Sequence, residues 1–141
     1  MIALDTNILV YAYDTTRPEH TAAKDAIRRA SMSHDGFGTA LMCLAEFWSV
    51  ATHPRLSKQP SAQAAYAFYQ TLRAAGLRIW YPKNGFSNRI LQTAVAQNLL
   101  GSSIFDLQIA LLALEHHATE MWTHDKNFIA LFGLRVVDPL T

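Results

Sequence analysis

Four of the eleven acidic residues of this chain stand in sequence settings where acids are uncommon. Asp5 directly follows a short apolar run at the start of the chain, and Asp125 follows another near its end. Glu46 and Asp106 lie inside strongly apolar segments. Because acids rarely leave water unless they are paired or bound to a metal, we predict that these four carboxylates belong to one site.

Carboxylates that share a site raise one another's pKa unless a cation supplies the opposite charge. A ligand set made only of oxygen atoms favours a hard ion, Mg²⁺ or Mn²⁺. Mg²⁺ keeps several of its waters and uses few carboxylates together with substrate phosphates. This arrangement suits phosphodiester hydrolysis, because the metal activates a water molecule and no protein nucleophile is required.

Most of these acids also have a purely structural interpretation when each is taken alone. Asp5 could cap a helix that begins two residues later, and Asp125 could cap a short helix predicted over residues 126–131. Asp106 could favour the dipole of its own helix. Glu46 is the hardest to explain as structure, since it lies in the middle of an apolar helix. Taken together, the four acids favour a site.

The segments that must position these acids alternate between strand and helix patterns. Strands are predicted at residues 2–4, 36–38, 78–81, 119–123 and 134–137. Helices are predicted at residues 7–13, 20–31, 41–51, 62–75, 85–100, 105–117 and 126–131, with Thr39 and Ser61 as caps. Such alternation predicts a parallel sheet covered by helices on both faces, where residues after the strands converge on one crevice.

Composition bounds the class of protein. The 141 residues are 50% hydrophobic and 16% charged, which predicts one folded domain over residues 1–141. Cys43 is the single cysteine and cannot form an internal disulfide, which fits a reducing cytoplasm. The first residues do not form a signal peptide, and no apolar run approaches a membrane span. The net charge of +1 neither requires nor excludes a nucleic acid.

The segments around the acids are LDTNILVY at residues 4–11, LAEF at 44–47, IFDLQIA at 104–110 and THDKNF at 123–128. In order and spacing they resemble the PIN-domain ribonucleases, and specifically the toxins of VapBC toxin–antitoxin modules. D-x-N or T-x-D-x-x-F alone is a weak signal, whereas the ordered set is strong. The resemblance spans essentially the whole chain.

The resemblance implies an α/β PIN domain with a four- to five-stranded parallel sheet between helices and the acids at its carboxyl edge. It implies a metal-dependent endoribonuclease, using Mg²⁺ or Mn²⁺, that leaves a 5′-phosphate and a 3′-hydroxyl. It also implies a cytoplasmic, growth-inhibiting toxin neutralised by a VapB-type antitoxin, and a homodimer.

The resemblance assigns roles residue by residue. Asp5, Glu46 and Asp106 match the main metal-binding acids of the family. Asp125 matches the fourth acid, which in the family holds a metal directly or through water.

Two polar residues also match the family's pocket. Asn7 would orient Asp5 or a metal-bound water, and Thr123 would hydrogen-bond a site carboxylate. Both could also cap a helix or a strand end. Phe105 is a departure, because many relatives carry a polar or basic residue just before the third acid. This departure concerns substrate contacts near Asp106 and not the metal site.

Other reactive side chains have simpler interpretations. No pair among the six histidines shows a zinc spacing with cysteine, and Cys43 is interpreted as a core residue. The basic residues are scattered along the chain, with Arg17, Lys24, Arg28 and Arg29 near the first helices. Arg55 and Lys58 are candidate phosphate contacts, since their loop follows the helix that carries Glu46.

Two other functions remain open to the same fold pattern. A non-catalytic RNA-binding or protein-interaction module would require a damaged acid set, whereas all four acids are present here. A phosphatase of the haloacid dehalogenase type would need a second aspartate two residues after Asp5, and this chain has Asn7 there.

Overall fold

The computed structural model describes residues 1–58 and 60–141. Its five strands are β1 (Ile2–Leu4), β2 (Phe37–Ala40), β3 (Arg78–Trp80), β4 (Glu120–Trp122) and β5 (Arg135–Val137). They pair in the order β3-β2-β1-β4-β5, and every neighbouring pair is parallel. The central strand β1 places Ile2 beside Phe37 on one side and beside Glu120 on the other.

Six helices connect these strands in the described part of the chain. They are α1 (Thr6–Tyr13), α2 (His20–Ser31), α3 (Leu41–Ala51), α4 (Ala62–Ala74), α5 (Phe86–Ala96) and α6 (Ser103–Glu115). The predicted α/β fold with a four- to five-stranded parallel sheet between helices is confirmed. No helix among residues 1–58 and 60–141 is long and apolar enough to span a bilayer.

Alternate residues of each strand point to opposite faces of the sheet, so one short strand supplies two cores. Leu4 and Trp122 pack into the core that α1, α2 and α4 cover. Ala3 and Met121 pack into the core that α5 and α6 cover. Leu4 and Met121 are fully buried, and each such side chain stabilises the fold by about 1.5–3 kcal/mol relative to exposure.

Helix bounds were predicted well where a cap or a breaker marks the end. Ser61 caps α4 as predicted, its hydroxyl accepting a hydrogen bond from the N–H of Ala64. The helix predicted over residues 85–100 ends earlier, at Ala96. Asn98 then adopts a left-handed conformation, which a continuing helix does not allow. The helix predicted over residues 105–117 begins two residues earlier and ends at Glu115.

Two local predictions were wrong. Residues 126–131 form no helix, because their backbone makes a turn and then an isolated bridge between Leu131 and Leu134. Phe128 and Leu131 are buried in the core beside α6, and this packing replaces helical hydrogen bonding. Thr39 does not cap α3 either, since its hydroxyl donates to the carbonyl oxygen of Leu4 across the sheet.

Candidate active site

Asp5 lies where the central strand ends and α1 begins. It is 7% exposed, and its backbone N–H donates to the carbonyl oxygen of Trp122 on the neighbouring strand. Its Oδ1 accepts a 2.7 Å hydrogen bond from the N–H of Thr6, which is the helix-capping interaction proposed as its structural interpretation. The cap uses one carboxylate oxygen, so capping and a site role are compatible.

The second oxygen of Asp5 is held by Thr123. The hydroxyl of Thr123 donates to Asp5 Oδ2 at 2.7 Å. The same hydroxyl oxygen accepts hydrogen bonds of 3.0 Å from the side-chain amide of Asn7 and from the N–H of Asp125. A hydroxyl has one proton and two lone pairs, so all three bonding positions of this buried group are used. Thr123 therefore has a fixed direction and contacts the carboxylate of Asp5.

Asn7 links the end of β1 to the end of β4 through hydrogen bonds. Its Nδ2 contacts Asp5 Oδ2 at 3.3 Å as well as Thr123, and its Oδ1 accepts the N–H of His124 at 3.1 Å. The backbone donor of His124 fixes which end of the amide is oxygen. Asn7 thus lies beside Asp5, where the sequence prediction placed it.

Glu46 is exposed on α3, so the inference that it is enclosed by apolar residues was wrong. The apolar side chains beside it in sequence, such as Cys43 and Phe47, point into the cores, while Glu46 faces solvent at the cleft. Its Oε2 accepts a 3.1 Å hydrogen bond from the hydroxyl of Thr6. Thr6 therefore bridges Asp5 and Glu46, donating to the first through its backbone and to the second through its side chain.

Asp106 is half-buried in the first turn of α6, a position that also suits the helix dipole. Burial raises its pKa, and the negative charges of Asp125 and Glu46 raise it further. A nearby cation would stabilise the ionised form of such a carboxyl group.

Asp125 is exposed and does not cap a helix, because residues 126–131 are not helical. Its Oδ1 accepts the N–H of Asn127 at 2.9 Å, which closes a local turn. That turn leaves Oδ2 without a hydrogen bond among the described residues. Asp125 and Glu46 are the two exposed acids of the four, whereas Asp106 is half-buried and Asp5 is buried.

All four predicted acids line one cleft of about 360 Å³. Burial raises the pKa of Asp5, and the charges of Asp106 and Glu46 raise it further against the lowering effect of its hydrogen bonds. Thr6, Tyr11 and Arg17 also line the cleft, and none of them was singled out from the sequence as a site residue. Arg17 was noted only among scattered basic residues, and Tyr11 only within a matching segment.

The donor chemistry fits a hard divalent cation. The cleft offers carboxylate oxygens, and two of these carboxyl groups have raised pKa values that a positive charge would relieve. Among residues 1–58 and 60–141, no three histidine, cysteine or acidic side chains already enclose an ion position. Mg²⁺ does not need such a closed set, because it keeps several of its waters and is bound by few carboxylates.

Cys43 contacts the site without being its nucleophile. The thiol is fully buried, and its Sγ lies 3.9 Å from Asp5 Oδ1. Burial, with the charge of Asp5, raises its pKa to about 12. A thiol of this kind stays protonated near neutral pH, which agrees with the interpretation of Cys43 as a core residue.

The sequence did not predict a contact that links the end of β4 to the residues after β5. His124 Nδ1 lies 2.8 Å from Asp138 Oδ2, just after β5. The ring of Tyr11 meets the His124 ring edge-on, with 6.0 Å between centroids. His124 and Asp138 are 14 residues apart in sequence, and such a separation does not predict a contact. Only the folded chain reveals it.

Comparisons with known proteins show which family this chain is similar to. The profile of the PIN domain matches residues 2–132. The chain is similar to ribonuclease VapC43 of Mycobacterium tuberculosis, with 31% identity covering 99% of this chain and 96% of the relative. It is similar to ribonuclease VapC24 of the same organism, with 27% identity covering 100% and 98%. Its fold is similar to the crystal structure of Mycobacterium tuberculosis VapC20, described as a sarcin–ricin loop cleaving toxin. That likeness has a TM-score of 0.68 and 16% identity, covering 91% of this chain and 92% of that one.

Proposed function

Because the chain belongs to the PIN-domain family, and within it to the VapC ribonucleases, we propose that it is a metal-dependent endoribonuclease toxin of a type II toxin–antitoxin system. The observation that carries the proposal is the cleft where Asp5, Glu46, Asp106 and Asp125 meet. These acids come from four distant parts of the chain, and the fold gathers them at the carboxyl edge of the sheet.

The proposed metal ligands are Asp5, Asp106 and Glu46, with Asp125 binding directly or through water. Mg²⁺ or Mn²⁺, when bound, would activate water and stabilise the charge that develops on the phosphate. The raised pKa values of Asp5 and Asp106, caused first by burial and then by neighbouring negative charges, support this role, since a nearby cation favours the ionised carboxylates.

The remaining polar residues hold the acids in place. Thr123 and Asn7 fix one oxygen of Asp5, and the backbone of Thr6 fixes the other. The hydroxyl of Thr6 then aligns Glu46. A site held by interlocked hydrogen bonds keeps its geometry before substrate arrives, which lowers the reorganisation needed during the reaction.

Cleavage of total RNA by the purified chain tests the proposal. We expect cutting in Mg²⁺ or Mn²⁺, loss of cutting with a chelator, and loss in Asp106→Asn. A matched control is Asp35→Asn, which changes an exposed acid outside the cleft and leaves cutting unchanged. Cutting that persists in Asp106→Asn, in a preparation free of contaminating nuclease, would contradict the mechanism.

A non-catalytic RNA-binding or protein-interaction module is the alternative function. It predicts that the chain binds RNA in saturating Mn²⁺ without cutting it, in the absence of any antitoxin. The complete and supported acid set argues against this alternative, because a binding module has no need to hold four carboxylates together.

The proposed partners are a VapB-type antitoxin and a second copy of this chain. Exposed apolar residues recur at helical spacing on α3 (Leu41 and Trp48) and on α5 (Leu91 and Val95), with 40–82% of each exposed. We propose that these two stripes form a homodimer interface, since exposed apolar area of this kind is typical of association surfaces. The cytoplasm is the proposed compartment, because it holds the RNA and keeps the buried thiol of Cys43 reduced.

A further inference from the structure

The acidic cleft has one cation at its rim. Among the described residues that line the cleft, Arg17 is the only lysine or arginine. It lies in the connection between α1 and α2, and its side chain is 45% exposed. Its ion pair within the described chain is with Asp14 at 3.4 Å, and not with any of the four acids. Arg17 is therefore not simply the counter-ion of the acid set.

Two neighbours hold the guanidinium group in place. Its carbon lies 5.6 Å from the centroid of the Tyr11 ring, and its Nε donates to Asp14 Oδ2. Asp14 is itself fixed, because its Oδ1 accepts from both the N–H and the hydroxyl of Thr16 at 2.9 and 2.7 Å. Exposed pairs of this kind contribute little to folding, so their main effect is to set the direction of Arg17.

The support continues from Tyr11 to the sheet. The Tyr11 ring packs against His124, and His124 bonds Asp138 beyond β5. The rim cation is thus tied through aromatic and polar contacts to the same strand ends that hold Asp5. It keeps a defined position relative to the acids.

The terminal nitrogens of Arg17 remain available. Only its Nε has a hydrogen-bond partner among the described residues, which leaves Nη1 and Nη2 uncommitted. A planar guanidinium with two free N–H edges matches the oxygens of a phosphate. We propose that Arg17 binds a phosphate of the RNA strand that flanks the bond being cut. This inference rests on the proposed ribonuclease function and names a substrate contact that the acids cannot supply.

A flanking phosphate fits better than the cleaved one for a reason of charge. The cleaved phosphate would be held by the acids and their cation, whereas the rest of the strand meets four carboxylates that repel it. Arg17 offsets that repulsion at the rim. Phosphate contacts of this kind fix the position of the strand and carry no sequence information, so the effect should be the same for different RNA sequences.

Equilibrium binding of a fluorescent, unstructured single-stranded RNA tests the proposal. The measurements use the Asp106→Asn background in Mg²⁺, in which RNA is not cut, over a range of monovalent salt. Arg17→Ala should lower affinity by roughly three- to tenfold, the scale of one exposed charged contact. The slope of log affinity against log salt should become shallower by about 0.7, the value for one phosphate of a single strand. Arg17→Lys should lie between, because it keeps the charge but not the planar fork.

Arg28→Ala is the matched control. Arg28 forms the same i,i+3 pair with an aspartate, Asp25, but does not line the cleft. It should leave both affinity and salt slope unchanged. If Arg17→Ala also lowers the melting temperature, the affinity and salt slope of Arg17→Lys are compared with those of wild type instead, since the lysine retains the stem and the charge.

Unchanged affinity and slope in Arg17→Ala, or equal losses in Arg17→Ala and Arg28→Ala, would overturn the proposal. If wild type and Arg17→Ala cut RNA equally well, this inference alone is overturned. A wild-type chain that neither binds nor cuts RNA would overturn the proposed function and this inference with it.

Discussion

Thr123 donates its hydroxyl proton to Asp5 across 118 positions of sequence, at an oxygen–oxygen distance of 2.7 Å. This bond joins the end of β4 to the end of β1, the neighbouring and central strand of the sheet. It also sets the position of the carboxylate from which the rest of the acid cleft is built. Replacing this hydroxyl is therefore the most direct test of how the site is held.

Thr123→Val should reduce both stability and RNA cleavage. The valine has a similar shape but leaves the Asn7 amide and the Asp125 N–H without their acceptor, and it leaves Asp5 without its donor. Unsatisfied buried groups cost about 1–3 kcal/mol each, so we expect a loss of that order in the free energy of unfolding. Urea denaturation measures it. Thr123→Ser keeps the hydroxyl and should retain most stability and activity; equal losses in both variants would contradict the role of the hydroxyl.

In the metal-free protein, the stability that Asp5 and Asp106 contribute should fall as the pH rises from the acidic range. The pKa values of Asp5 and Asp106 are raised above the ordinary 3.8, so their neutral forms favour the folded state. The stability that their protonation contributes is fully present below 3.8 and is lost as the pH rises through the raised values. Melting temperatures measured in a chelator across this range should therefore fall relative to those in Mg²⁺.

Asp106→Asn isolates one of these carboxyl groups. Without metal it should melt at a higher temperature than wild type at pH values above the raised pKa of Asp106, where the wild-type carboxylate is ionised. The advantage should shrink as the pH falls towards about 4. Mg²⁺ should raise the melting temperature of wild type by mass action and that of the variant much less. A wild type that is indifferent to Mg²⁺ would contradict a metal site in this cleft.

Gly38→Ala should destabilise the sheet between β2 and β3. A Cβ at Gly38 would lie 2.5 Å from Trp80 Cζ2 and 2.9 Å from the carbonyl oxygen of Arg78. Trp80 is 3% exposed and cannot move aside without disturbing the core, so we expect a loss of about 1–3 kcal/mol or more in urea denaturation. Gly101→Ala is the comparison, because a Cβ there meets no atom within 4 Å and only its positive φ causes strain. Equal stability in the two variants would argue against the close packing.

Val95→Asp should convert the proposed dimer to a monomer. Val95 is 82% exposed on α5, and a charge in the middle of an apolar interface must be desolvated without a partner. Sedimentation velocity over a concentration series measures the change. Met32→Asp is the control, since Met32 is 73% exposed after α2 and outside the two stripes. A wild-type chain that is monomeric at all concentrations would exclude the interface.

The parts of the fold that local sequence determines were predictable. The strand before Asp5 and the cap at Ser61 have clear signals in apolar runs and hydroxyl placement, and both were predicted correctly. The failures occurred where tertiary contacts outweigh local preference. Thr39 bonds across the sheet rather than to its own helix, and burial of Phe128 replaces the helix predicted after Asp125.

The candidate site also contains residues that the sequence indicated and residues that it did not. The acids could be found because each breaks an apolar pattern, although Glu46 was wrongly taken to be buried. The sequence did not predict that Arg17 and Tyr11 lie at the cleft, where the Arg17 guanidinium carbon lies 5.6 Å from the Tyr11 ring centroid. Ring and guanidinium contacts have no fixed spacing in sequence. Only the folded chain brings them to the cleft.

The strand order has a consequence for a chain that is still being synthesised. The ribosome releases β1, β2 and β3 first, and these strands alone form one side of the sheet. Asp5 then lies on an edge that β4 has not yet covered, and neither Thr123 nor Asp125 has emerged to complete its surroundings. At this stage the nascent chain carries Asp5 and Glu46, and Asp106 and Asp125 have yet to follow. The four acids can line one cleft only after residue 125 has left the ribosome.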